Sequence, residues 1–248
     1  METSLLRRGY RASSALVVAH DQLGHQLVTE FGVDPSLVHT IPFPITMPIR
    51  APERAGQVEG GALTFLFFGT LRRNKGVMVM LEAIRHLNQR ADVAGQIRFI
   101  IAGRGEPSLE AAVTAAERDL GNLTTEIGFV TDQRRQELYD QAHCVLLPYT
   151  SINAQSGVLH DAYSQHLPVI ATDIGPIGTT VREHRSGWVI EPGSQSAIVD
   201  AILTARSSPQ SLAAAGVRAG AVAENRTPDR IAARLRDLYD ELLSSRIA

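Results

Sequence analysis

"PYTSINAQSGVLHDAYSQHLPVIATD", residues 148–173, begins where one apolar segment ends and closes where the next one ends. The two flanking segments, "CVLLP" (144–148) and "PVIAT" (168–172), have the composition of buried strands. Between them lie a polar loop and an amphipathic segment, 156–165, which predicts a helix. A helix that joins two almost wholly apolar strands is typical of a parallel sheet covered on both faces.

The same alternation continues on both sides of this stretch. The predicted strands are 63–69, 97–103, 124–130, 144–148, 168–172 and 187–192. The predicted helices are 75–90, 107–120, 132–142, 156–165, 179–184, 195–206, 209–223 and 228–245. We therefore predict an α/β fold with a doubly wound, parallel, Rossmann-like sheet that begins near residue 63.

A shorter α/β pattern precedes this sheet. "ALVVAH" (15–20) predicts a strand, and 21–31 predicts a helix capped by Asp21. The next segment, 37–45, is extended and interrupted by prolines, and the polar, glycine-rich segment 50–62 indicates a linker or an exposed loop.

The composition excludes several classes of protein. Of the 248 residues, 44% are apolar and 20% are charged, and the formal net charge is −2, so no overall attraction to nucleic acid or to a membrane is expected. No apolar run approaches the roughly 20 residues of a membrane span. The single cysteine, Cys144, excludes a disulfide framework and is predicted to be a buried strand residue. We expect a cytoplasmic protein without a transmembrane segment.

Polar residues concentrate directly after the predicted strands, where open parallel sheets bind their ligands. These loops hold glycines, hydroxyls, amides, three arginines and a lysine, which favours an anionic ligand that carries hydroxyl groups. Lys75 stands where a predicted helix begins, although the helix dipole disfavours a cation there, so a negative ligand is expected nearby. Arg72, Arg73 and Arg104 are candidates for bidentate contacts with phosphate oxygens.

Other chemistries find little support in the motifs. "GRGEPS" (103–108) lacks the third glycine of the dinucleotide fingerprint, and the chain has neither a P-loop nor a G-x-S-x-G motif. The eight histidines form no H-E-x-x-H pair, so no metal site is predicted, and no cofactor is expected.

Five segments together resemble the C-terminal half of the retaining glycosyltransferases of group 1, a GT4-like family with the GT-B fold. They are "FFGTLRRNKG", "FIIAGRGE", "EIGFVTDQRRQELYDQAHCVLLPY", "SGVLHDAYSQHLPVIATDIG" and "GWVIEPG". The resemblance runs from about residue 63 to 205. The first 45 residues resemble the last strand, helix and strand of that family's N-terminal domain.

The resemblance implies a division of the chain and of its roles. Residues 1–48 would be a remnant of the acceptor domain, 49–62 the linker, 63–226 the nucleotide-sugar-binding domain and 227–248 a C-terminal helix. In relatives that helix crosses back onto the N-terminal domain. A family N-terminal domain has about 150–200 residues, so we expect one wall of the usual cleft here, and a truncated product or a split enzyme with a partner chain.

A donor site for a nucleotide-diphosphate sugar also follows from the resemblance. Lys75 and an arginine would hold the pyrophosphate; Thr70 stands where relatives often have arginine, so Arg72 or Arg73 would substitute. The two carboxylate positions of the fourth loop correspond to Asn153, facing the donor sugar, and Asp161, facing the ribose; they are the predicted catalytic residues. The predicted donor-binding residues are Gly69, Thr70, Arg72, Arg73, Lys75, Gly103, Arg104, Gly128, Phe129, Val130, Gln155, Ser156, Gly157, Val158 and Leu159.

Within that set the resemblance assigns parts. The segment 128–130 would line the base pocket, and the amides of Gly157, Val158 and Leu159 would meet the phosphates. Three hypotheses stay open: a retaining glycosyltransferase or its donor-binding half, a non-catalytic nucleotide-sugar-binding module, and a sugar-nucleotide epimerase of the GT-B fold. The sequence leaves the base, the sugar and the acceptor undetermined.

Overall fold

The structure, a computed structural model, describes residues 2–50, 61–151 and 155–247. The chain divides into two compact units, one made of Met1–Thr46 with Asn225–Ala248 and the other of Met47–Glu224. The strands are β1 (Leu16–Val18), β2 (Val38–Thr40), β3 (Leu63–Phe68), β4 (Ile97–Gly103), β5 (Leu123–Ile127), β6 (Cys144–Leu147), β7 (Val169–Thr172) and β8 (Gly187–Ile190). The helices are α1 (Glu2–Ala12), α2 (Asp21–Phe31), α3 (Val77–Asn88), α4 (Pro107–Asp119), α5 (Asp132–Gln141), α6 (Gly157–Ser164), α7 (Gly175–His184), α8 (Gln195–Ser207), α9 (Pro209–Glu224) and α10 (Pro228–Ile247).

The smaller unit contains a two-stranded parallel sheet, in which Leu16 of β1 lies opposite Val38 of β2. The cap of α2 is one residue earlier than predicted, because the side chain of His20, not that of Asp21, accepts a hydrogen bond from the backbone N–H of Gln22. Helix α1 was not predicted. Its sequence, "ETSLLRRGYRA", is polar overall.

The apolar stripe of α10 belongs to this unit's own core. Ile231 and Leu238 are buried with Ile41, and Leu235 and Leu242 pack against them. The stripe of the last helix therefore finds its partner in the first 46 residues.

The larger unit contains six parallel strands in the order β5-β4-β3-β6-β7-β8, which confirms the predicted α/β class and parallel sheet. The chain starts in the middle at β3, moves outward through β4 and β5, and then crosses to β6 on the other side of β3. Phe65, Leu66 and Phe67 follow one another along β3 and are all buried, so both faces of the sheet are covered. Cys144 is buried in β6, as predicted.

Several boundaries differ from the prediction, and the end of β5 affects the predicted site residues 128–130. Strand β5 ends at Ile127, because Gly128 has a φ of 139°, so residues 128–130 lie in a loop and not in a strand. Helix α7 begins at Gly175, four residues before the predicted start at 179, with Pro176 in its first turn. None of the helices in the described part of the chain combines the length and apolar character needed to cross a membrane.

Candidate functional site

The candidate site lies at the carboxyl ends of β3 and β6, the neighbouring strands from which the chain runs in opposite directions across the sheet. The loops that follow them are joined by hydrogen bonds. The N–H of Thr150 donates to the carbonyl of Asn74 over 2.9 Å, and Nδ2 of Asn74 donates to the carbonyl of Ser151 over 3.1 Å. Gly76 has a φ of 70° and lies so close to Pro148 that a Cβ there would be 1.8 Å from the Pro148 carbonyl oxygen.

A pocket of about 260 Å³ opens between these loops and the N-terminus of α6. Its lining residues are Phe67, Phe68, Gly69, Thr70, Lys75, Tyr149, Gln155, Ser156, Gly157, Val158 and Asp161. All of them belong to the larger unit. A larger hollow of about 900 Å³ lies at the opposite edge, near the amino ends of β3, β4 and β5, and none of the predicted site residues lines it.

Lys75 is the only lysine among the 248 residues, and it is placed in this pocket. Its Nζ lies 3.6 Å from the centroid of the Tyr149 ring, a cation–π contact. Burial lowers the pKa of Lys75, and the nearby charge of Arg72 lowers it further. Since no carboxylate pairs with Lys75 in the described residues, its ammonium group remains available to an anionic ligand.

The N-terminus of α6 forms the second wall of the pocket. Its N-cap residue, Ser156, makes no side-chain cap, because its hydroxyl is hydrogen-bonded to that of Tyr149 over 3.1 Å. Gly69, at the end of β3, is close enough to Val158 that a Cβ would contact its side chain at 3.4 Å. An uncapped helix start beside a cation is an electrostatically favourable place for phosphate.

Asp161 lies one turn inside α6 and is buried, with 7% of the residue exposed. Burial raises the pKa of Asp161 from its ordinary 3.8 to about 6, while the guanidinium of Arg135 lowers it. Nη1 of Arg135 is 3.8 Å from Oδ2 of Asp161. The pocket therefore holds a carboxylate that is largely ionised at neutral pH and has little access to water.

Residues 62–208 match the model of the family described as glycosyl transferases group 1. The chain belongs to this family. It is 27% identical, over 225 residues, to D-inositol 3-phosphate glycosyltransferase 1 of Catenulispora acidiphila, an alignment that covers 85% of this chain and 53% of that relative. The chain thus spans about half the length of the curated relatives it matches.

Solved structures show the same fold. A glycosyltransferase from Rickettsia africae superposes with a TM-score of 0.75 at 16% identity, covering 96% of this chain and 66% of that one. The HepE protein of Anabaena, crystallised with UDP and glucose, superposes with a TM-score of 0.74 at 17% identity, covering 98% and 66%. These findings confirm the resemblance to group 1 glycosyltransferases and the GT-B fold.

The structure brings together only part of the donor site that the group 1 resemblance implies. The predicted residues that line the pocket are Gly69, Thr70, Lys75, Gln155, Ser156, Gly157, Val158 and Asp161. The N–H of Leu159 already donates to the carbonyl of Ser156 over 3.1 Å, so this amide is not available to a phosphate. Asn153 lies outside the described residues.

The remaining predicted residues form a rim beside the pocket. The guanidinium carbon of Arg104 lies 5.9 Å from the ring centroid of Phe129, and Phe129 is 77% exposed. The loops after β3 and β4 touch at Gly103, where a Cβ would be 1.9 Å from the carbonyl oxygen of Gly69. Gly128 and Val130 flank Phe129 in the loop after β5.

Arg72 and Arg73 have different surroundings. Nε of Arg73 pairs with Glu106 at 3.7 Å, and the Arg73 side chain is 85% exposed. Arg72 is also exposed, but its charge acts on Lys75. Neither arginine lines the pocket.

Three functional candidates escaped the sequence analysis: Tyr149, Arg135 and Tyr139. Tyr149 directly follows an apolar strand, which was the available signal, since residues in that position project at the carboxyl edge of the sheet. No local pattern marks Arg135 and Tyr139, because they reach the site only through the packing of α5 beside α6.

Proposed function

We propose that the larger unit is the donor-binding half of a retaining glycosyltransferase and that it binds a nucleotide-diphosphate sugar in the pocket between β3 and β6. The observation that carries this proposal is the placement of Lys75, the only lysine, beside the uncapped N-terminus of α6. Membership in the group 1 family supplies the chemical class of the ligand.

The pyrophosphate is assigned to Lys75 and the first turn of α6, with Arg72 as the second cation. The choice of Arg72 over Arg73 is supported by the ion pair between Arg73 and Glu106 and by the electrostatic coupling of Arg72 to Lys75. Both cations would lie beside the negatively charged pyrophosphate, and each would donate a charge-assisted hydrogen bond to it.

The nucleoside is assigned to Asp161 and to the loop after β5. A carboxylate accepts two hydrogen bonds, which suits a ribose diol. Phe129 presents an exposed ring to the solvent above that loop, and an aromatic face is a suitable partner for a nucleobase. The place of Asn153 beside the donor sugar rests on the resemblance, which also implies that the sugar is transferred with retained configuration.

The acceptor is assigned to a domain that the larger unit does not itself provide, on a longer chain or on a partner chain. The proposal is supported by the lengths of the relatives, of which this chain covers about half. A uridine-diphosphate sugar is the first donor to test, because the HepE structure was determined with UDP and glucose.

A cytoplasmic location belongs to the same proposal. Cys144 is free and buried in β6, and burial raises the pKa of its thiol, so it is an unreactive structural residue. A lone free cysteine suits a reducing compartment.

Thermal unfolding with nucleotide sugars tests the donor site. UDP-glucose or GDP-mannose at about 100 times its dissociation constant adds roughly 2.7 kcal/mol of stability, which corresponds to about 5 °C or more in a chain of this size. We expect this increase with at least one of the two, and we expect Lys75→Ala to abolish it because the pyrophosphate loses its buried cation.

Arg85→Ala is the matched control, since this substitution removes a positive charge from the exposed face of the neighbouring helix α3. That variant should keep the full shift. No shift with any nucleotide sugar, or an equal shift in Lys75→Ala, would contradict the proposal.

A non-catalytic nucleotide-sugar-binding module is the second candidate. It is favoured by the amide of Asn153 where relatives often carry a glutamate, because the loss of a charge weakens electrostatic stabilisation of a cationic sugar. Release of UDP from UDP-glucose by the purified chain, alone and with candidate acceptors and partners, separates the two. Binding without turnover under every condition supports the module.

A further inference from the structure

Helix α5 presents two polar side chains to Asp161. Arg135 and Tyr139 are four residues apart, so they lie on the same face of the helix. Nη1 of Arg135 is 3.8 Å from Oδ2 of Asp161, and Nη2 of the same guanidinium is 3.2 Å from Oδ1 of Asp132. A direct hydrogen bond of 2.6 Å between Gln136 and Gln165 holds α5 beside the end of α6.

Both side chains have buried polar atoms without a hydrogen bond of normal geometry in the described part of the chain: Nε of Arg135 and the hydroxyl of Tyr139. The Tyr139 hydroxyl is nevertheless close enough to Asp161 for a weak hydrogen bond between them to lower the pKa of that carboxyl group. Buried donors are nearly always satisfied in folded proteins, so an unpaired Nε and a weakly paired hydroxyl beside one carboxylate require an explanation. Catalytic and ligand-binding contacts are often long in the free protein and shorten in the complex.

We propose that Arg135 and Tyr139 are positioning residues that hold the Asp161 carboxylate ionised and directed into the pocket, where it accepts hydrogen bonds from the ribose. The inference rests on the proposed nucleotide-binding function. It gives α5 a part in positioning the Asp161 carboxylate, although no residue of α5 is among the predicted donor-binding residues. Arg135 and Tyr139 act through Asp161 and do not line the pocket themselves.

The electrostatic surroundings of Asp161 support this role. Burial raises the pKa of Asp161 to about 6; Arg135 lowers the pKa, Asp132 raises it, and the hydroxyl of Tyr139 lowers it. The pKa of Tyr139 is raised, first by its own burial and then by the charge of Asp161. On other elements, Lys75 and Tyr149 share the pocket with Asp161; on α6 itself, His160 precedes it.

Removal of the Arg135 charge should therefore move the protonation of Asp161 toward neutral pH. In Arg135→Gln we expect the pKa of Asp161 to rise by about one unit, as for a carboxylate that loses a cation within a few ångströms. The readout is the carboxyl ¹³C chemical shift of Asp161 in the full chain labelled at aspartate, titrated from pH 4 to 9. Asp161→Asn identifies the resonance.

UDP affinity, measured by calorimetry over the same pH range, gives a second readout. The Arg135→Gln variant should bind UDP about fivefold more weakly than the wild type at pH 6 and about twofold more weakly at pH 7, and the difference should disappear above pH 8. Arg135→Lys restores the charge and should recover most of the pKa and of the affinity. Tyr139→Phe, which removes only the hydroxyl, should weaken UDP binding at every pH.

Arg134→Gln is the control on the same helix. Arg134 pairs with Glu126 at 2.8 Å and with Glu137 at 2.7 Å, so its loss should lower the melting temperature without moving the pKa of Asp161. An unchanged Asp161 pKa in Arg135→Gln overturns the inference. If the pKa moves as expected but the wild type binds no nucleotide, the proposed function fails while the control of Asp161 ionisation by α5 stands.

Discussion

A single side chain carries much of the proposed site. Lys75 is the only amine other than the chain terminus that the sequence provides, and it lies over the Tyr149 ring without a carboxylate partner among the described residues. An ammonium group in this setting loses hydration and gains only a cation–π contact, which is why burial lowers its pKa. A phosphate at the start of α6 would replace the lost hydration with a charged partner.

Chemical modification can follow this residue without any activity measurement. Because its pKa is lowered, a larger fraction of the Lys75 amine is deprotonated near pH 8, and a small reagent such as acetic anhydride should acylate it readily. We expect saturating UDP to slow acylation of Lys75 about fivefold or more, as read from peptide masses. The α-amino group provides the internal control, since its rate should not change, and equal rates at Lys75 with and without UDP would contradict the phosphate assignment.

At the scale of elements, the site depends on how closely two loops approach each other. Gly76 ends the short 3₁₀ turn Arg73–Lys75 in the left-handed conformation and lies directly against the carbonyl of Pro148. Only a residue without Cβ permits both the positive φ and this contact. The position of Lys75 relative to Tyr149 is therefore fixed by the glycine that follows it.

Gly76→Ala should lower the free energy of unfolding by about 2–4 kcal/mol, from backbone strain and from the displacement of one loop. Urea denaturation measures the loss, and UDP affinity should fall as well because Lys75 and α6 move apart. Gly121→Ala is the matched control, since nothing lies within 4 Å of a Cβ at that position. Equal stabilities of the two variants would show that the loops can separate at no cost.

The sequence predicted the elements of the sheet better than the contacts between them. Strands such as β3 and β4 are apolar runs bounded by glycine, and this local pattern is sufficient to place them. Helix α1 and the early start of α7 were not predicted; the first is polar overall, and the second opens with glycine and proline.

Side-chain pairs from distant segments could not be predicted in the same way. Lys75 and Tyr149 are 74 residues apart, and Arg135 and Asp161 belong to different helices, so neither pair leaves a periodic signal. The family resemblance pointed to Lys75 and Asp161 as residues, but their partners follow from the packing of loops and helices in the folded unit.

At the scale of the whole molecule, Asp161 should reduce stability at neutral pH. Its pKa lies at about 6 in the folded chain and at 3.8 ordinarily, so folding favours the protonated form. Below about pH 3 the carboxyl group is mostly neutral in both the folded and unfolded states, and the penalty is absent. Above about pH 7 it is mostly ionised in both states, and the folded state carries nearly the full cost of burying the charge, about 2–3 kcal/mol after allowance for residual solvent access.

Asp161→Asn removes this titration. The unfolding free energy of the variant minus that of the wild type should therefore rise by about 2–3 kcal/mol between pH 4 and pH 7. Urea denaturation at several pH values measures the gain, and all other carboxyl groups cancel in the comparison. Asp92→Asn is a control of opposite sign, because a hydrogen bond from Arg90 lowers the pKa of Asp92. Parallel stability curves for the wild type and Asp161→Asn would refute the buried charge. A charge that weakens the fold at neutral pH is expected at a functional site, which connects this measurement to the proposed donor site.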